Sequence, residues 1–141
     1  MPSDRFFKNM NLVHRTMRTL TLGKVGWTAA KMPVLELTTT GRKSGEPRTV
    51  FLTAPITDGD SLVIIASKGG HPAHPAWYLN LLADPNVTVT TEDGTRPMLA
   101  RVADRDERAR LWPKVTAAAK NYADYQQKTD REIPVVVLDP A

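Results

Sequence analysis

From Phe6 onward, apolar residues return at Met10, Val13, Met17 and Leu20, in steps of four, three, four and three. That spacing lines one face of a helix, and Lys8, Arg15 and Arg18 fall largely off the stripe. Gly23 is a natural stop. A terminal helix covering a core is the expected use of such a face. The alternative is a basic amphipathic helix lying on an anionic membrane surface.

Past residue 31 the pattern shortens to that of strands. Residues 33–39, 48–57, 61–67, 86–91, 95–103 and 133–138 read as six of them, rich in β-branched residues and bounded by glycine, proline and aspartate. Asp58-Gly59 and Asp93-Gly94 each separate two such runs, which signals hairpins. The run IPVVVL at 133–138 is apolar throughout and suits a strand buried on both faces. Six strands in so short a chain suggest a closed or nearly closed barrel, since closure removes exposed edges. Two helices interrupt the strands. One starts near Pro75, in PAWYLNLLAD, where the missing N–H does no harm. The other starts at Asp104, with Glu107 at capping-box spacing, and runs to about Lys120. Pro113 is expected to bend or divide it. The expected organisation is a helical segment over residues 1–31 followed by a barrel domain over 32–141.

Composition narrows the class. At 141 residues the chain has the size of one domain with one core. No apolar run approaches the roughly 20 residues that span a bilayer, and no secretory signal opens the chain, so a cytoplasmic protein is expected. Cysteine is absent, which removes disulfides and thiolate chemistry, and His14, His71 and His74 suggest no metal cluster. The net charge is +4, unevenly spread. Residues 1–31 hold six basic groups against Asp4 alone, whereas 32–141 hold thirteen basic and fourteen acidic ones. A nearly neutral body argues against a nucleic-acid surface.

Three segments carry candidate chemistry. The turn GRKSG at 41–45 places two cations and a hydroxyl between glycines just after a strand, a geometry that can aim N–H groups and side chains at an anion. A solvated hairpin loop is the simpler reading of that piece by itself. The second, ASKGG at 66–70, repeats hydroxyl, cation and flexible backbone at another strand end. The third is PAWYLNL at 75–81, in which Trp77, Tyr78 and Leu81 suit a core but the amide of Asn80 needs hydrogen-bond partners. A helix N-terminus there also suits an anion. Together they describe a ligand with acidic groups and a flat, partly polar ring. Chemistry carried by a cofactor fits the lack of any obvious nucleophile or acid–base pair.

In LTTTGRKSGEPR, ASKGG, PAWYLNLLADPNVTV and YADYQQKTDREIPVVVL the chain resembles the deazaflavin (F420)-dependent nitroreductase family, from about Val34 to Pro140. The resemblance implies an α+β fold, a split β-barrel of six antiparallel strands with flanking helices, like that of FMN-binding proteins. It implies coenzyme F420, in its reduced form, as donor of a hydride to a small organic acceptor such as a quinone, enone or nitroaromatic. By position, Arg42, Lys43 and Ser44 would hold the coenzyme's phosphate and acidic tail. Arg48, Thr49, Val50, Phe51, Leu52 and Thr53 would line its groove. Ile65, Ala66, Ser67 and Lys68 would lie along the ring, with Ala76, Trp77, Tyr78, Leu79 and Asn80 closing the other side. Ser67 would hydrogen-bond the acceptor, and Tyr122 and Tyr125 would shape its pocket. The family's prodrug-activating member has tyrosines where Thr53 and Ala119 stand here, so a differently shaped acceptor pocket is expected. An FMN-dependent reductase on the same barrel, and a non-catalytic F420- or lipid-binding carrier, are the alternatives. A homodimer also follows from the resemblance, and a quinone acceptor would give the N-terminal helix a reason to meet a membrane.

Overall fold

The computed structural model describes residues 28, 29 and 32–141, so the helix expected over residues 6–20 lies outside the described residues. Within them are strands β1 (Thr28–Ala29), β2 (Met32–Thr40), β3 (Pro47–Thr53), β4 (Ile56–Asp58), β5 (Ser61–Ile65), β6 (Asn86–Thr91), β7 (Gly94–Val102) and β8 (Val135–Pro140). A 3₁₀ turn spans Lys68–Gly70, and there are three helices, α1 (Ala76–Ala83), α2 (Arg105–Ala118) and α3 (Asn121–Gln127).

Each strand pair is antiparallel, in the order β1-β2-β6-β7-β8-β5-β4, and β3 pairs with β2 off that path. The run expected as one strand over 48–57 is in fact two. β3 pairs with β2, whereas β4 pairs with β5 at the far end of the path. The break falls at Ala54-Pro55, where proline has no N–H to give a ladder, and the Ala54 N–H donates instead to Pro33 O at 2.9 Å. This crossing joins the two ends of the sheet and curls it into a split barrel. Both hairpins form, with two-residue turns at Gly59-Asp60 and Glu92-Asp93, and Gly59 takes the positive φ (62°) such a turn requires.

β8 explains why the chain needs an uninterrupted apolar run. Val135, Val136, Val137 and Leu138 are all 0% exposed. Val136 and Leu138 join a core with Leu35, Leu37, Ile64, Met98 and the α1 residues Trp77 and Leu81. Val135 and Val137 face the opposite way, into a second core with Val63, Ile65, Leu111, Val115 and Tyr122. A strand covered on both faces cannot alternate apolar with polar.

α2 starts as expected, the Asp104 carboxylate accepting from Glu107 N at 2.9 Å. Glu107 does not complete the capping box, because its own carboxylate pairs with Arg101. Pro113 does not divide the helix. Ala109, four residues earlier, is exposed, so the carbonyl that loses its partner faces water. The division comes instead at Ala119-Lys120, and α3 is a separate element.

Candidate functional site

Phe51, Leu52 and Thr53 at the end of β3, Ile65 at the end of β5, Ser67, Lys68, Trp77, Tyr122 and Tyr125 converge on one cavity of about 560 Å³. Val34, Gly69, Pro75 and Asn121 complete its wall. The start of α1 and one face of α3 thus stand opposite the end of β3. Val34 and Asn121 were not singled out in the sequence: Val34 looks like any strand residue, and Asn121 follows a helix break that periodicity did not show.

Ser67 is the most telling member. It is 7% exposed, lines the cavity, and its Oγ has no hydrogen-bond partner among the described residues. A hydroxyl at a cavity wall with no protein partner is open to water or to a ligand that enters. Beside it the backbone turns left-handed over three residues, with Lys68 at φ 46°, Gly69 at 63° and Gly70 at 83°. Lysine there stores strain of the sort found at ligand sites. Gly70 admits no side chain, since a Cβ would lie 2.8 Å from Tyr125 O.

Across the cavity the Tyr122 hydroxyl and Thr53 Oγ1 lie 3.1 Å apart. Burial raises the phenol of Tyr122 above its ordinary pKa, partly offset by that hydrogen bond, with the neighbouring Tyr125 adding to the rise. The Tyr122 phenol is therefore neutral at physiological pH, and either member of the pair can donate to the other. Tyr125 meets Tyr122 edge to face at 6.1 Å. Ala119 does not line the cavity and is buried in the second core.

The GRKSG turn is tied to α1 at Asn80, which lies three residues, a rise of roughly 4.5 Å, along the helix from Trp77. Asn80, 4% exposed, accepts at Oδ1 from Arg42 N (3.2 Å) and Arg42 Nη1 (2.9 Å), and donates to Thr39 Oγ1 at 3.2 Å. Its amide is thus committed to the turn. Ser44 Oγ accepts from Glu46 N and Arg48 Nη2, both at 3.1 Å. Gly41 is held so close that a Cβ would meet Ser44 Oγ at 2.8 Å. Lys43 is exposed and makes no ion pair among the described residues.

Other expected site residues stand elsewhere. Thr49 bonds Thr38 across β2 (2.9 Å), while Val50 and Leu79 pack against the first core. Ala66 is fully buried, and Ala76 is exposed at the first position of α1. Tyr78 turns its ring to His74, 4.8 Å between centroids, and burial raises its pKa.

Sequence reasoning missed Arg131. Its guanidinium donates to Ala66 O (3.2 Å), Ser67 O (2.8 Å) and His71 O (2.9 Å), and meets His74 Nδ1 at 3.0 Å. The available signal was a lone arginine just ahead of the buried strand.

These residues fit a ring-bearing, acidic coenzyme: an apolar slot with the hydroxyl-bearing Ser67, Tyr122 and Tyr125 on its wall, a left-handed backbone that lets a ring approach, and a braced basic turn that lies outside the cavity lining and is tied to α1 through Asn80. Among the described residues no cluster of three or more metal-ligating side chains occurs, and no helix is long and apolar enough to cross a membrane.

Comparison with known proteins agrees with this geometry. The family model described as F420H(2)-dependent quinone reductase matches residues 10–140. An F420H(2)-dependent quinone reductase of Mycobacterium tuberculosis (strain H37Rv) is 46% identical over 109 residues, covering 75% of this chain and 72% of that protein. A solved F420-H2 dependent reductase is 42% identical with a TM-score of 0.68, over 76% of this chain and 94% of its own. A chain solved as a domain-swapped dimer is 37% identical with a TM-score of 0.71, over 94% and 99%. The chain therefore belongs to the F420H(2)-dependent quinone reductase family, oxidoreductases whose coenzyme is reduced F420.

Proposed function

We propose that this chain reduces a quinone in the cavity between β3 and α3, with Ser67 as the residue that touches the reacting acceptor. The observation that supports the reading is that Ser67, mostly buried and with no side-chain partner among the described residues, lines the same cavity as Ile65, Trp77 and the tyrosines of α3. Reduced F420, when bound, supplies a hydride, so the protein needs neither nucleophile nor metal of its own.

The work left to the chain is positioning and charge. Phe51, Leu52, Ile65 and Trp77 exclude water, which strengthens any hydrogen bond made inside. Ser67 Oγ–H donates to the quinone oxygen on which negative charge grows, a contact worth more as charge develops than before. Tyr122, neutral and oriented by Thr53, is the next donor. Arg42 and Lys43 attract the acidic end of the coenzyme, with Arg42 held in place by Asn80. The same pocket suits enones and nitroaromatics, whose oxygens acquire charge in the same way.

Ser67→Ala tests the assignment. Turnover should fall by roughly 10²-fold, as for loss of one preorganised donor, with F420 affinity kept. Unchanged turnover would remove Ser67 from the reaction.

Residues 1–31 give the proposal a location. A basic amphipathic helix there would bring a cytoplasmic reductase to an anionic bilayer that holds its quinone. Sedimentation with anionic vesicles, comparing the full chain with one lacking residues 1–24, tests this, and equal partitioning refutes it. A homodimer is supported by the relative solved as a domain-swapped dimer, and light scattering on the full chain decides it.

A further inference from the structure

We propose that Arg131 is a positioning residue for the reaction, that it sets the Ser67 hydroxyl and the left-handed Lys68–Gly70 backbone against the cavity, and that its hold requires a neutral His74. The proposal rests on the reading of Ser67 given above.

The geometry is unusual in its concentration. A single guanidinium bonds the carbonyls of Ala66, Ser67 and His71 and the ring nitrogen of His74, so both ends of the loop from β5 to α1 hang on one side chain. Most of that loop has no regular structure to hold it. Ala66 N bonds Pro134 O at 3.1 Å, and the 3₁₀ turn is closed by Gly70 N to Ser67 O at 2.9 Å. Ser67 O therefore accepts from both the turn and Arg131, which ties the hydroxyl-bearing residue to the clamp. Lysine would keep the charge but lacks the planar fork that reaches four acceptors.

His74 makes the clamp responsive to protons. Arg131 has only hydrogens to offer, so Nδ1 accepts, and the ring proton sits on Nε2. Protonation would remove that acceptor and place a second cation against the guanidinium. The groups facing His74 are Arg131 and, from α1, the Tyr78 ring. Lys128 at the end of α3 borders Gly70, and His71 in the same loop accepts from Ala73 N at 3.0 Å. Burial first, then Arg131, lowers the His74 pKa from 6.5, which keeps it neutral at physiological pH. The clamp is complete at neutral pH and opens as the pH falls through that lowered value.

The test uses the full-length enzyme with F420H2 and a water-soluble quinone. Arg131→Lys should lower kcat by roughly 10- to 100-fold, the usual penalty for a misplaced reacting group. In Ser67→Ala/Arg131→Lys the two losses should not multiply, and methylguanidinium should restore part of the activity of Arg131→Ala. Rescue is a response that a purely structural role would not give. His74→Asn keeps an acceptor near the Nδ1 position without a titrating ring, so the acidic limb of the wild-type kcat profile should disappear. It leaves Arg131 in place, so it tests the proposal even where the Arg131 variants fail to fold. Arg131→Lys with kcat within about twofold of wild type, multiplying losses, or an acidic limb unchanged in His74→Asn would each overturn it. If Ser67→Ala alone has no effect while Arg131→Lys slows turnover, the Ser67 assignment fails and the clamp acts on the Lys68–Gly70 backbone instead.

Discussion

Replacing Asn80 by alanine separates two jobs that the structure gives to one amide. The side chain makes three hydrogen bonds, two from Arg42 and one to Thr39, and lies almost fully buried. Each neutral bond contributes roughly 1 kcal/mol net, and the bond from the guanidinium about 1.5, the low end because Arg42 is exposed and regains water. The expected loss is therefore about 3.5 kcal/mol, which lowers Tm by roughly 10 °C in a chain of this size. The second job is holding the basic turn. Once Arg42 is free, its backbone N–H and guanidinium no longer share a fixed direction, and binding of an acidic coenzyme must order them. F420 affinity should fall by about tenfold, equivalent to 1.4 kcal/mol. Thermal unfolding reads the first effect and fluorescence titration with F420 the second, at a temperature where the variant is folded. A lowered Tm with unchanged F420 affinity would refute the reading of the turn as a coenzyme anchor. An unchanged Tm would refute the energetic worth of the network.

Other substitutions probe the remaining walls. Gly70→Ala should cost about 2 kcal/mol, since its left-handed backbone penalises any side chain and the Cβ meets Tyr125 O; a Tm equal to wild type would contradict this. Thr53→Val removes the partner of the Tyr122 hydroxyl and should raise the quinone KM by roughly fivefold with F420 affinity unchanged, the pattern for lost acceptor binding. Equal KM values would exclude that hydroxyl pair from the acceptor site. Asp139 is held below its ordinary pKa of 3.8 by the hydrogen bond from Arg101, then by that from Ser61. Its pairing therefore adds stability in full above pH 3.8 and loses it as pH falls through the lower folded value. The difference in urea stability between wild type and Arg101→Met should narrow on acidification, and a constant difference would refute the linkage.

How much of this was legible in the sequence depended on whether a feature was local. The hairpins were, because Gly59 sits in one turn and Gly94 directly follows the other, both at positive φ. The doubly buried β8 was legible from an apolar run without alternation. The break at Ala54-Pro55 was harder to read: proline only disfavours a ladder position, and nothing nearby says that the chain must leave β2 for β5. The same holds at Pro113, where an exposed Ala109 carbonyl lets the helix continue. Ser67, Tyr122 and Thr53 were expected from the resemblance and line one cavity, though 69 positions separate the hydrogen-bonded Thr53 and Tyr122. Arg131 was invisible because its partners are mostly carbonyls of a distant loop, and carbonyls leave no trace in sequence. Asn80 was noticed for its polarity, yet its use in bracing Arg42 required the fold.

The central claim is that this cavity passes hydride equivalents from reduced F420 to a quinone. Anaerobic mixing of the full-length protein with F420H2 and a soluble naphthoquinone, followed by the return of oxidised F420 fluorescence, tests it most directly. The account predicts catalytic reoxidation that FMN does not replace. Reoxidation no faster than without protein, or turnover with reduced FMN alone, would contradict it.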